Sequence, residues 1–246
     1  MMRSWLYKLK KGTEHLNYGR DIVEEVTLQY ARNKVEPIRI LDLGAGHGTD
    51  LLNCMKILKG SGYNALLYAI ENYKPNIQEL QSSGISVSNL DIESDIYPYE
   101  DSYFDIVIMN QVLEHTKEVF HIFGEISRIL KAGGICIVGV PNLASLHNRV
   151  ALLFGLQPTS IRMFGPPVRG ITKQDFVEFI EKGGYFQETG FAGSNFYPFP
   201  PRISTFLSKL FPKFSVSIFI IISKTDKKGN FSDLLNEYFF ETSYKH

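Results

Sequence analysis

The chain has 246 residues, 44% hydrophobic and 21% charged, an ordinary globular composition able to bury a core. Its 26 Lys and Arg balance 26 Asp and Glu, so no net field draws it to nucleic acid or an anionic membrane. No nucleic-acid partner and no integral membrane contact are expected. Cys54 and Cys136 lie far apart and in no metal-ligand spacing, which argues against a disulfide framework or a metal site and for two buried thiols in a reducing compartment.

In chain order, the N-terminal MMRSWLYKLKKGTEHLNYGR is basic but lacks the continuous apolar stretch of a secretory signal, so a cytoplasmic protein is expected. Residues 14–33 read as a helix preceding the core, with Ile22, Val23, Val26, Leu28 and Tyr30 among charged residues. From residue 38, short apolar runs alternate with longer amphipathic stretches, the signature of βαβ units around a parallel sheet. Strands are predicted at 38–43, 65–71, 86–90, 104–109 and 134–140, most of them rich in β-branched or aromatic residues. Helices are predicted at 49–59, 74–83 and 117–131. The last carries Val119, Phe120, Phe123, Ile126, Ile129 and Leu130 at helical spacing and stops at Lys131-Ala132-Gly133-Gly134.

Residues 141–171 make a long connection, with a short helix expected at 144–154, and a segment of this length between core elements reads as a substrate cover. Thr172 is placed as the cap of a helix at 173–183, before strands at 185–192 and 215–223. Phe196, Tyr197 and Phe199, interleaved with Pro198, Pro200 and Pro201, form a turn read as core packing more than as a pocket wall. The run from Val216 to Ile222, broken by Ser217, is far short of the ~20 residues of a membrane helix and suits a buried strand. There is no internal repeat and no linker-like change of composition. Residues 1–246 are therefore expected to be one α/β domain, with an N-terminal helical lid at 1–35, the covering connection at 141–171 and a C-terminal appendage at 224–246.

The strongest local signal is Ile40-Leu41-Asp42-Leu43-Gly44-Ala45-Gly46-His47-Gly48, an apolar strand carrying a carboxylate and then a glycine turn into a helix. Glycines let backbone approach a ligand closely, and the helix N-terminus presents free N–H groups. The spacing is G-x-G-x-G, whereas a dinucleotide fingerprint is G-x-G-x-x-G. Asp42, two residues before the first glycine, sits poorly beside a pyrophosphate and well beside a cation. Glu71 ends the second strand, where a carboxylate can accept from both ribose hydroxyls. Asp91 and Ile92 follow the third strand, suited to an adenine amine and ring face. Asn110-Gln111-Val112-Leu113-Glu114-His115 follows the fourth.

Together these segments resemble the class I S-adenosylmethionine-dependent methyltransferases, over roughly residues 36–142 and more loosely to about 223. The resemblance implies a doubly wound, seven-stranded, mostly parallel Rossmann-like sheet with an antiparallel last strand, and S-adenosylmethionine as cofactor. It implies that Asp42, Gly44, Ala45 and Gly46 serve the methionine and sulfonium end. Glu71 with Asn72 would serve the ribose and Asp91 with Ile92 the adenine, with Asn110 and Gln111 completing the set. The segment PNLASLHNRVALLFGLQPTS and the later RGIT are similar to bacterial methyltransferases of glycan, lipopolysaccharide and other surface-polymer pathways. Where that group often has a histidine shortly before R-G-x-T, this chain has Gly165-Pro166-Pro167-Val168-Arg169-Gly170.

His115 is the candidate general base, set after the fourth strand where imidazole can take a proton near neutral pH; capping or bracing of the following helix by Glu114 and His115 is the plain alternative. His47 reads as a shaper of the loop or a contact to the cofactor rather than an acid–base group. His15, Tyr18 and Arg20 are candidates for a lid over the cofactor carboxylate, with Arg20 as ionic partner, a solvated amphipathic helix being the alternative. His147, Asn148, Arg149 and Arg169 are candidates to bind the acceptor, the first three being alternatively exposed polar residues on a short helix. The fourth strand lacks the N-P-P-[FY] sequence common where planar nitrogens are methylated, so an oxygen acceptor on a small molecule or sugar is expected. Nitrogen or carbon acceptors, a non-catalytic cofactor-binding module and a nicotinamide-dependent oxidoreductase are the alternatives.

Overall fold

The computed structural model describes residues 19–32, 34, 37–161, 165 and 167–237. His15 and Tyr18, with much of the expected lid and the end of the expected appendage, lie outside them. The elements in chain order are α1 (Arg20–Ala31), β1 (Ile38–Leu43), α2 (Thr49–Gly60), β2 (Ala65–Ile70), α3 (Lys74–Ser82), β3 (Ser86–Ser88) and β4 (Phe104–Asn110). They continue with α4 (Val119–Ile129), β5 (Leu130–Pro141), α5 (Leu146–Leu153), α6 (Lys173–Glu181), β6 (Phe186–Ser194), α7 (Pro201–Leu210), β7 (Ser217–Lys224) and α8 (Leu234–Glu237).

The strands form one seven-stranded sheet in the order β3-β2-β1-β4-β5-β7-β6. Strand β7 runs antiparallel to its neighbours β5 and β6, and the remaining pairs are parallel, as expected. Alternate residues point to opposite faces. Leu41, Leu43, Val107 and Met109 enter one core with α4 and α6, while Ile38, Ile40, Ile106 and Ile108 enter another with α1, α2 and α3. Burial on both faces is why these strands read as nearly unbroken apolar runs. Phe219 of β7 needs two glycines beside it, since a Cβ on Gly19 or Gly139 would overlap its ring. Both cysteines are buried and free, and burial pushes the Cys54 thiol up to about 12.

Four expectations are corrected. The described part of the N-terminal helix is a packed layer: Val23, Thr27 and Ala31 are buried, and Thr27 Oγ1 lies 3.4 Å from Cys54 Sγ on α2. Helix α4 ends at Ile129, two residues early, because Leu130 turns extended (φ −81°, ψ 136°) and pairs with Phe104. Lys131 then ion-pairs with Asp105 at 2.8 Å in place of closing the helix. The C-terminal segment is no appendage up to Glu237, since Lys224 closes β7 and Phe231 and Leu234 are buried against the α4 face. The Phe231 N–H donates to Ser127 Oγ at 3.1 Å. Finally, the proline-rich turn opens a helix, α7, with Pro201 in its first turn where a missing N–H costs nothing. Phe196 is buried as expected, but Phe199 is 43% exposed.

Candidate functional site

The sheet order reverses between β1 and β4, and the crevice at the C-terminal ends of strands flanking such a reversal is where open α/β sheets bind ligands. The glycine loop leaves β1 there. Gly44, Gly46 and Gly48 all have left-handed backbones, with φ of 66°, 54° and 72°, which favour glycine. Each has its own reason. A Cβ on Gly44 would press on Val112 at 3.0 Å, one on Gly48 would overlap Leu80, and one on Gly46 would meet nothing within 4 Å. Gly46 thus faces open space, with room for a ligand at the backbone. His47 stands outside, its Nδ1 2.7 Å from Glu79 on α3, consistent with a loop-shaping role.

Around this loop the fold gathers carboxylates. Asp42 is buried, and burial, then Asp50, then Glu71 hold its carboxyl well above the ordinary range, with Arg20 pulling the other way. Asp50, in the first turn of α2, accepts from Asn110 Nδ2 at 3.1 Å and lies 3.6 Å from Arg20 Nε. Arg20 therefore does bring α1 to the glycine-loop helix. Glu71 accepts the N–H groups of Gly46 (2.8 Å), Asn72 (3.0 Å) and Tyr73 (2.9 Å), with Asn76 Nδ2 at 3.4 Å. It fastens the glycine loop to the end of β2. Asp91 is exposed in the turn after β3, accepting from the Glu93 N–H at 2.9 Å, and Ile92 packs against the core.

Beyond β4, Gln111 has a left-handed backbone (φ 60°), uncommon for a side chain of its kind, and its N–H donates to the Gly139 carbonyl at 2.7 Å. Its buried Nε2 has no hydrogen-bond partner among the described residues. A 3-10 turn, Leu113–His115, follows. Helix α4 starts four residues after His115, with Glu118 as its N-cap, so His115 does not cap it. Glu114 is buried, and burial raises its carboxyl to about 6, moderated by a backbone hydrogen bond and by His115. His115 Nε2 lies 3.8 Å from Glu114 Oε1, with 41% of its side chain exposed. A buried carboxyl thus stands beside a half-open imidazole.

The connection after β5 touches this turn. It leaves and returns beside β5, where Asn142 bridges Ile171, and the Val168 N–H donates to the Glu114 carbonyl at 2.8 Å. The acceptor candidates within it are otherwise engaged. Arg169 donates to the Thr116 and Lys117 carbonyls at 3.0 and 2.9 Å, bracing the Glu114–His115 turn. Asn148 is buried, donating to the Asn142 carbonyl at 3.0 Å and accepting from the Thr159 N–H at 3.0 Å, so its amide holds the loop together. Arg149 donates to the Ala144 carbonyl at 2.7 Å and lies over the Phe214 ring. His147 sits between Ser145 and Thr159 with burial lowering its pKa, at 3.2 and 3.0 Å from their hydroxyls. Asn148 and His147 are thus committed to their own loop, whereas Arg149 and Arg169 spend only part of their guanidinium donors on it. Asp50 has no role among the expectations from sequence, and Glu114 enters them only beside His115. Asp50 was legible as the acid one residue after the glycine-loop threonine, whereas burial of Glu114 was not legible at all. Among the described residues, no group of three or more His, Cys, Asp or Glu side chains is placed to hold a metal ion.

A family model described as "Methionine biosynthesis protein MetW" matches residues 27–184. The chain belongs to that family. This MetW-family chain is also 29% identical over 140 residues to a ubiquinone biosynthesis O-methyltransferase of Rickettsia typhi (strain ATCC VR-144 / Wilmington), covering 55% of the chain and 51% of that protein. It is 26% identical over 177 residues to the ubiquinone/menaquinone biosynthesis C-methyltransferase UbiE of Vibrio vulnificus (strain YJ016), covering 65% of the chain and 66% of that protein. The chain thus spans between half and two thirds of the length of these two relatives. Among solved structures, the DszA carbon methyltransferase superposes with a TM-score of 0.62 at 18% identity, over 88% of the chain and 56% of that one. The class I methyltransferase resemblance read from the glycine loop is borne out in fold and in kin.

Proposed function

We propose that this chain binds S-adenosylmethionine at the ends of β1, β2 and β4 and passes its methyl group to an oxygen of a small-molecule or sugar acceptor. The observation that carries this reading is the charge of the crevice. Asp42, Asp50 and Glu71 meet there with Arg20 as the described cation among them, a setting that favours a cationic ligand and repels a pyrophosphate. The residues fit the cofactor: open space beside Gly46, an unpartnered Gln111 amide, and a long Asn76–Glu71 bond that a ribose hydroxyl would displace. Asp42, Gly44, Ala45 and Gly46 would hold the charged end, Glu71 and Asn72 the ribose, Asp91 and Ile92 the adenine, with Asn110 and Gln111 beneath.

Bound there, S-adenosylmethionine supplies a methyl group activated by its sulfonium. The chain's own residues must align the acceptor, exclude water and remove a proton. The connection held by Arg169 supplies the cover, His115 takes the hydroxyl proton, and Glu114 behind it stabilises the resulting imidazolium. That pair favours an oxygen acceptor over a carbon one, although the relatives' names include both. Two buried free thiols suit a reducing cytoplasm.

The deciding experiment is calorimetric titration with S-adenosylmethionine, S-adenosylhomocysteine and NAD. Micromolar binding of both adenosyl ligands and none of NAD is expected; NAD binding alone overturns the reading. Methyl on nitrogen or carbon in the product would remove the oxygen assignment. Tight binding without turnover on any acceptor would leave a cofactor-binding module.

A further inference from the structure

The equal totals of acids and bases conceal an uneven distribution. No Asp or Glu occurs at 126–174 or at 189–225, two stretches that contain α5 and α7. These helices follow β5 and β6 at the crevice end of the sheet, and the segments that carry them touch. His147 meets the Tyr197 ring edge-on at 5.6 Å, and Asn142 Nδ2 donates to the Lys213 carbonyl at 2.9 Å.

Helix α7 is turned inside out. Its buried positions are Ser204 and Ser208, four apart on one face, and Ser204 Oγ accepts the Phe196 N–H at 2.6 Å. Three of its apolar side chains face water, with Ile203 48%, Phe206 65% and Leu210 56% exposed, while Leu207 is half-buried. The end of α5 and the residue after it repeat the pattern, Leu153 at 83% and Phe154 at 74%. Around these apolar groups stand exposed cations, Arg149, Arg202, Lys209 and Lys213. A monomeric protein rarely leaves such a patch uncovered, and neither sheet face needs it.

We propose that this cap docks on a lipid bilayer bearing anionic headgroups. Apolar side chains on one face of a surface helix, flanked by Lys and Arg without acids, match the chemistry of that boundary: acyl chains below, phosphate at the rim. A second copy of the chain fits poorly, because a two-fold contact would set the same cations against one another with no acid to meet them. The expectation that no field draws the chain to an anionic membrane holds for its net charge and fails for this face. Docking also turns the crevice mouth toward the bilayer, and it stands whether or not the methyl-transfer reading does.

The test is flotation of the full chain with phosphatidylcholine vesicles, with and without phosphatidylglycerol, at low and high salt. Binding to the anionic vesicles is expected, about tenfold or more weaker on neutral ones and reduced by salt. L153S/F206S and K209E/K213E should each lose about tenfold or more of that binding, while keeping the melting temperature and S-adenosylmethionine affinity of the parent. Absence of binding to anionic vesicles, or variants that float like the parent, overturns the proposal. So does sedimentation showing a dimer that the variants dissolve without any vesicle binding.

Discussion

Asp42 and Glu114 are both buried carboxylates, and their neighbours divide their work. Asp42 faces Asp50 and Glu71, so the free protein holds it at the expense of stability, and a cationic ligand relieves the conflict. Asp42→Asn should therefore leave the fold as stable or more so while weakening S-adenosylmethionine by roughly 10- to 100-fold, the worth of one charge-assisted contact. Calorimetry beside urea unfolding checks both signs. Glu114 titrates in the fold at about 6 against an ordinary 4.5, so folding favours its protonated form. That destabilisation is absent below 4.5, grows through the interval and is complete above 6, reaching on the order of 2 kcal/mol. Glu114→Gln should be more stable than the parent by about that much at pH 8, with the gap closing toward pH 4.5 in urea unfolding. If His115 takes the acceptor proton, the same substitution lowers turnover.

Elements, not single residues, decide how tightly the site is held. The 3-10 turn carrying Glu114 and His115 has little structure of its own, and Arg169 fixes it by donating to two carbonyls from the far end of the covering connection. Arg169→Ala should speed amide exchange across residues 113–117 with little change at β4, read by hydrogen-exchange mass spectrometry. The C-terminal segment is a second such element. Phe231 is fully buried, with its ring 5.2 Å from that of Phe179 and a hydrogen bond to α4 through Ser127. Phe231→Ala should lower stability by about 3–5 kcal/mol in urea unfolding, the range for deleting a buried aromatic ring. A solvated tail would show no change.

For the whole molecule, ligand and fold are linked through the strand ends: the crevice exists only while β1, β2 and β4 lie in register. A ligand at 100 times its dissociation constant adds about 2.7 kcal/mol to the folded state, which for a chain of this size raises the melting temperature by roughly 5–10 °C. That rise is expected with S-adenosylhomocysteine and not with NAD, and thermal-shift measurement distinguishes them. Charge also acts at this scale, because a neutral total leaves room for acid-free stretches at 126–174 and 189–225 beside acid-rich ones.

The sequence by itself determined the sheet. Strands buried on two faces must be apolar throughout, glycines with left-handed backbones must be glycine, and both demands act on local residues, so β1, the G-x-G-x-G turn and Thr172 as a cap were legible in one pass. Tertiary structure alone decided which polar side chains were spare. Asn148, Arg149 and Arg169 look like ligand-binding residues in sequence, and some or all of their donors are engaged by carbonyls brought near only by the fold. The same holds for burial. Nothing local marks Phe231 as core or the apolar face of α7 as solvent-facing, because burial depends on what packs opposite, and for both segments that partner lies outside their own helices and turns.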